Sequence, residues 1–287
     1  MICVSIQKTG FEETVRILSS PVTEMAELRL DLSDYGTEEV TRLCSMPVPV
    51  IATCRCGISG EAKADRQLSA AIQAGAAFVD IELGMTARLA GKLIAEAEGA
   101  GCRIIRSYHD FDGTPELETL VSKVRECLEG HADIVKIVTT AIHDDDPAKV
   151  LSLYSAPECK GLEGRLVAFA MGEKGKNSRM DSLAAGAPFI YASTGGCPTA
   201  PGQPDVSEAC HEIYGNDLPL RLMDGTIRIP RSKSTLQREI MASALAGECY
   251  KVDSEDLCDD VEAALGAASI IIGKMKEDID ENNVEKQ

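Results

Sequence analysis

The sequence predicts an α/β fold, a (β/α)8 TIM barrel over residues 1–218 followed by a short α/β extension over residues 219–287. Three observations carry that expectation. Eight short apolar, β-branched runs recur along the chain, starting at residues 2, 25, 49, 78, 103, 133, 165 and 189. Successive starts lie 23 to 32 residues apart, the length of one strand, one loop and one helix. Between the runs lie stretches whose apolar residues recur at helical spacing.

Taken in order, ICVSI (2–6) reads as the first strand, and FEETVRILSS (11–20) as the helix that returns the chain to the second, MAELRLD (25–31). PVIATCR (49–55) is the third strand, followed by the helix ADRQLSAAIQAG (64–75). FVDIEL (78–83) leads into the helix ARLAGKLIAEAEGAG (87–101), and RIIRSYHD (103–110) into PELETLVSKVRECLEG (115–130). DIVKIVT (133–139) is followed by the helix PAKVLSLYS (147–155), and RLVAFAM (165–171) and FIYASTG (189–195) complete the eight strands. Several of these runs are apolar at successive positions, as parallel strands covered on both faces are. Eight such units close naturally into a barrel, which carries its chemistry at the C-terminal ends of the strands. An open doubly wound sheet is the alternative, but no G-x-G-x-x-G follows an early strand and no P-loop is present.

Composition narrows the function classes. Asp and Glu number 46 against 29 Lys and Arg, a formal charge of −17, while 44% hydrophobic content is ample for a core. That excess of acid argues against nucleic acid as a partner, since a phosphate-backbone binder needs a cationic face. A few arginines can still capture a small anion. The start of the chain lacks a basic region followed by an apolar stretch, and no run of about 18 apolar residues occurs. A soluble, cytoplasmic chain without membrane contact is therefore expected. Eleven scattered cysteines without a C-x-x-C spacing predict neither a disulfide framework nor a zinc site. With no Trp and 4% aromatics, the core must be packed by Val, Ile, Leu and Ala.

Charged residues interrupt the strands at Glu27, Arg29, Arg55, Asp80, Glu82, His109 and Lys136, and Arg179 follows the seventh strand. Charge in a barrel interior is costly unless it is paired or used. Glu27, Arg29, Arg55 and Glu82 fit either a structural ion-pair network at the barrel mouth or a binding site. Lys136 differs, because DIVKIV sets one ammonium within an apolar strand. Burial favours the neutral amine, and nearby cations such as Arg29 or Arg55 are expected to push the same way. A neutral amine condenses with a ketone or aldehyde to a Schiff base, an electron sink for an adjacent carbanion. His109, ending the neighbouring strand, can move protons near neutral pH. His131, His143 and His211 fall in helix or loop contexts and suggest no role.

Together the segments ELRLDL (27–32), IATCR (51–55), VDIEL (79–83), SYHDF (107–111), VKI (135–137), AMGEKGKNSR (170–179) and ASTGGCPTAPGQ (192–203) resemble those of type I 3-dehydroquinate dehydratases. The resemblance spans residues 2–215 and implies a syn-elimination that turns 3-dehydroquinate into 3-dehydroshikimate. It assigns Lys136 to the Schiff base, His109 to general acid and base, and Arg179 to the substrate carboxylate. It places Glu27, Arg29 and Arg55 on the ring hydroxyls or the pocket wall, and Thr199 and Gln203 on a loop that closes over substrate. Thr199 stands where the family usually has Ser. No metal or organic cofactor is implied, since the iminium is itself the electron sink, and a homodimer is expected from the family. Ser59 departs from a family glutamate that orients the histidine, and Glu61 is the nearby candidate to replace it. Met1 runs straight into the first strand, so the N-terminal hairpin that plugs the barrel in some relatives is not expected.

Residues 224–248, DGTIRIPRSKSTLQREIMASALAGE, resemble the opening of 5-enolpyruvylshikimate-3-phosphate synthase. Lys233, Ser234 and Arg238 match its phosphate- and enolpyruvyl-binding positions, but the two large domains of that synthase are absent. The segment is a vestige of a fusion, a dock for a separate shikimate-pathway synthase chain, or a cover for the barrel. Two other readings of the chain stay open. One is a class I aldolase-like barrel, disfavoured by the lack of a phosphate loop near strands seven and eight. The other is a catalytically impaired barrel that binds another shikimate-pathway enzyme through its C-terminal segment. The terminal KEDIDENNVEKQ (276–287) is expected to be a frayed helix end or disordered.

Overall fold

The computed structural model describes residues 1–194, 200–215, 232–253 and 256–284, with side chains as far as residue 274. It divides into two compact units, Met1–Leu222 and Met223–Gln287. In the first, eight strands alternate with helices: β1 (Ile2–Ile6), α1 (Phe11–Ser19), β2 (Met25–Arg29), α2 (Thr37–Cys44), β3 (Val50–Thr53), α3 (Cys56–Ser59), α4 (Glu61–Gln73) and β4 (Phe78–Glu82). There follow α5 (Ala87–Ala100), β5 (Arg103–His109), α6 (Leu117–Glu129), β6 (Ile134–Thr140), α7 (Asp146–Leu151), β7 (Leu166–Met171), α8 (Ser178–Ala184), β8 (Ile190–Ser193) and α9 (Val206–Tyr214).

All pairings are parallel, in the order β7-β6-β5-β4-β3-β2-β1-β8, and the sheet curls into a nearly closed barrel. Among the described residues no ladder joins β7 to β8. That seam is bridged by Gly164 N–H donating to the Gly186 carbonyl (3.2 Å), by the Phe169 and Tyr191 rings (6.4 Å between centroids), and by Gly172 N–H donating to the Pro201 carbonyl (3.2 Å).

Strand alternation sorts side chains between two cores. Outward residues such as Val4, Leu28, Ala52 and Val79 meet the helices. On α6, Leu120, Val121, Val124 and Cys127 share the buried face, as the helical period requires. Burying each Leu or Val of this kind contributes roughly 1.5–3 kcal/mol. Inward residues at the strand starts form a second apolar core from Cys3, Met25, Ile51, Phe78, Ile105, Ile134, Val167 and Phe189. Further along, the inward series turns polar: Met25, Glu27, Arg29 on β2; Phe78, Asp80, Glu82 on β4; Ile105, Ser107, His109 on β5; Ile134, Lys136, Val138 on β6. The barrel is thus plugged by apolar side chains at one end and polar at the other, where its chemistry belongs.

Local sequence explains the element ends. Thr86 caps α5 by accepting from Leu89 N–H (3.4 Å), and Gly101, at φ +71°, ends it in the left-handed region that glycine tolerates. Asp205 and Glu208 form a capping box on α9. The structure also corrects the sequence expectations. The helix expected over 64–75 begins at Glu61, and that over 147–155 ends at Leu151 in a 3-10 turn, Ser152–Tyr154. Helices α2, α3, α8 and α9 are not among the expected ones; they are 4 to 9 residues long, too short for a periodicity to stand out.

In the second unit α10 (Lys233–Leu245) packs on α11 (Asp259–Val284) through Leu236, Ile240, Ala244, Val261, Ala268 and Ile272. Helix α11 takes in much of the charged terminal stretch. The Lys233 ammonium pairs with Asp260 (3.3 Å), and residues 224–231 of the synthase-like segment lie outside the described residues. Among the described residues no helix is long and apolar enough to cross a membrane.

Candidate active site

The polar inward residues surround one cavity of about 250 Å³ at the barrel mouth. Its lining includes Glu27, Arg29, Arg55, His109, Lys136, Arg179 and Gln203, so seven of the eight residues expected from sequence converge there. The eighth, Thr199, lies outside the described residues.

Lys136 sits mid-strand on β6, 4% exposed. Its Nζ lies 3.0 Å from Asp80 Oδ2 and 3.4 Å from Glu27 Oε1, and 4.3 Å above the Tyr191 ring. The expected crowd of cations is therefore corrected: the groups closest to the amine are two carboxylates and an aromatic face, because inward positions of β2 and β4 lie level with it. Hydroxyls anchor both carboxylates. Glu27 accepts from Thr53 Oγ1 (2.9 Å) and Ser5 Oγ (2.7 Å), and Asp80 Oδ1 accepts from Ser107 Oγ (2.5 Å). Against burial, which works the other way, Lys136 and Arg29 bring the Glu27 carboxyl down to about 2.

His109 closes β5, with Val138 of β6 opposite in register. Arg55, just past β3, sets NH1 2.9 Å from Nδ1 and NH2 2.7 Å from Nε2, while the Phe111 ring stacks at 6.0 Å. Burial, then Arg55, Lys136 and Arg29, push the imidazole well below its usual range. A neutral imidazole accepts at one ring nitrogen only, and there it can receive an Arg55 N–H. Arg55 is held in turn by Glu82 Oε2 (3.4 Å), whose other oxygen accepts from Cys56 N–H (3.1 Å). Ser59 turns instead to the Arg55 carbonyl (3.1 Å) and Cys54 Sγ (3.4 Å), and Glu61 is not among the cavity's lining residues. The carboxylate nearest the histidine's arginine is thus supplied by β4.

The three arginines differ in occupancy. Arg29 is bound bidentately by buried Asp31 (3.0 and 2.7 Å), and Arg55 meets Glu82 through one contact (3.4 Å). Arg179, on α8 and 1% exposed, meets no carboxylate among the described residues. Its NH1 and NH2 donate to the carbonyls of Gly202 (2.7 Å) and Pro201 (3.3 Å), and its Nε has no partner among the described residues. Burial alone brings this guanidinium down to about 10. A buried cation without a carboxylate partner is costly, and an anion brought beside it would relieve that cost. Asp80 carries no role in the sequence expectations, and Ser107 and Tyr191 are absent from them. The signal for Asp80 was present, since it occupies the same inward phase of β4 as Glu27 does of β2.

A parallel barrel with a buried lysine, a histidine of lowered pKa and a buried arginine at its C-terminal mouth is the architecture of a barrel enzyme. The family model of Type I 3-dehydroquinase matches residues 2–216, and the chain belongs to that family of hydro-lyases. A 3-dehydroquinate dehydratase of Methanococcus maripaludis is 38% identical over 141 residues, 49% of this chain and 62% of the relative, so this alignment spans under two thirds of the relative's length. One from Dehalococcoides mccartyi is 34% identical over 222 residues, covering 74% of this chain and 94% of the relative. The crystal structure of the 3-dehydroquinate dehydratase from Aquifex aeolicus superposes with a TM-score of 0.62 at 26% identity, covering 75% of this chain and 99% of that one.

Proposed function

We propose that the chain is a 3-dehydroquinate dehydratase, which removes water from 3-dehydroquinate to give 3-dehydroshikimate in the shikimate pathway. The observation that carries this reading is one cavity holding a buried lysine, a histidine kept neutral, and a buried arginine without a carboxylate. Arg179 takes the substrate carboxylate, for which a guanidinium fork is suited. Lys136 attacks the C3 ketone, and loss of water from the carbinolamine gives an iminium. Neutral His109 takes the C2 proton, the electron pair passes into the iminium, and the C1 hydroxyl leaves with that proton as water. Hydrolysis then frees product and lysine. Glu27, Arg29 and Arg55 face the ring hydroxyls, and Gln203 with Thr199 belongs to the loop over the substrate. The chain works in this reading as a soluble cytoplasmic homodimer, with residues 219–287 as a dock for a separate synthase chain.

Borohydride added during incubation with dehydroquinate tests the chemistry. The expected result is enone formation and a reduced adduct on Lys136, both abolished in Lys136→Ala. Unmodified protein without enone would overturn the dehydratase reading.

A further inference from the structure

The scheme above leaves one buried group on the lysine unused. Asp80 is 3% exposed, and its Oδ2 lies 3.0 Å from Lys136 Nζ, the shortest contact the amine makes with a carboxylate. Its other oxygen is fixed by Ser107 Oγ at 2.5 Å, and Ser107 is fully buried and pairs in register with Lys136 across β5 and β6. Asp80 thus stands on a rigid strand with one oxygen anchored and the other turned to the amine. Glu27 is placed differently. Its Oε1, 3.4 Å from Nζ, already accepts from Thr53, and its Oε2 from Ser5, so both oxygens are taken. The remaining groups facing the amine are the Tyr191 ring, the Cys3 thiol below, and the cations Arg29 and Arg55 with His109 at the mouth.

We propose, building on the Schiff-base reading, that Asp80 is a catalytic proton carrier for Lys136. An ammonium has no lone pair and cannot attack. As substrate arrives, one N–H bond of the ammonium breaks and an O–H bond forms on Asp80 Oδ2. The freed amine pair bonds to the ketone carbon, and a proton shift from nitrogen to oxygen gives a carbinolamine. The proton held on Asp80 then leaves with the carbinolamine hydroxyl as water, and Asp80 is a carboxylate again, facing the single N–H of the iminium cation. Nitrogen carries one positive charge at the start and at the end, so the same anion serves both states. Ser107 holds that anion in place.

The test measures borohydride trapping of Lys136 with dehydroquinate between pH 5 and pH 10 in the full chain, its Asp80→Asn and Asp80→Glu forms, and Ser107→Ala, with thermal unfolding run alongside. Asp80→Asn should form adduct about 100-fold more slowly at neutral pH, the deficit closing as hydroxide takes over the deprotonation. Asp80→Glu should restore part of the neutral rate, and Ser107→Ala should lose about tenfold with the same pH trend. Adduct formation in Asp80→Asn at the native rate or faster at neutral pH overturns the proposal, because an anion that merely pins the ammonium would release a freer amine when removed. A deficit equal at every pH, with Asp80→Glu no better, also overturns it and leaves Asp80 a structural group. Absence of any Lys136 adduct in the unaltered chain defeats the dehydratase reading itself, and this proposal with it.

Discussion

His109 and its neighbours show how placement fixes a proton's whereabouts. Burial and Arg55 favour the neutral ring, so the histidine is a ready base at neutral pH rather than an imidazolium. The sign of the pH dependence follows. A depressed histidine is protonated only when pH falls through its lowered value, so activity should hold through the ordinary imidazole range and fall only in more acid solution. Replacing Arg55 by Gln removes a cation that opposes protonation, and the acid limb of kcat/KM should move to higher pH. A profile measured on both proteins checks this, and an unmoved limb would show that His109 does not set it. Lys136 teaches the converse. From sequence, DIVKIV announces a buried amine but is silent on what faces it, since facing groups come from β2, β4 and β8, distant along the chain.

At the scale of elements, the strands were the legible part. Each of the eight runs forms a strand within about two residues of its expected bounds, because β-branched residues buried on both faces leave little choice of structure. The helices were read less well. Short ones such as α8, which carries Arg179, have too few turns to display a period, although the function depends on their placement. Site residues were legible wherever a charge broke an apolar strand, and illegible where the inward residue was as ordinary as Ser107 or Tyr191. The stretch Ala200–Gln203 is held by backbone contacts that no side-chain pattern announces. Gly202 there has φ +72°, and a Cβ would lie 2.6 Å from the Gly172 carbonyl. Gly202→Ala therefore costs about 1–3 kcal/mol locally and must shift the carbonyl that Arg179 grips. Steady-state kinetics should show KM for dehydroquinate raised about tenfold or more, with the melting temperature lowered by roughly 2–4 °C per kcal/mol of that cost.

For the whole molecule, the compact unit Met1–Leu222 holds every described residue of the cavity, and Met223–Gln287 has its own small core. A chain ending at residue 222 should therefore keep kcat and KM within about twofold of the full chain, the scatter expected of a change far from the chemistry. Loss of turnover in the shortened protein, with its barrel still folded by circular dichroism, would tie the second unit to catalysis. Seven of the barrel's junctions are zipped by backbone ladders, and the eighth, between β7 and β8, is the seam bridged at top and bottom by loop hydrogen bonds. Such a barrel is a split ring rather than a hoop. Widening its mouth along that one line breaks no ladder, so opening there costs fewer backbone hydrogen bonds than at any other junction. Arg179 stands across the cut, gripping the far loop by its carbonyls, and an anion seated on it would act as the rivet that turns the ring into a hoop for the duration of one turnover.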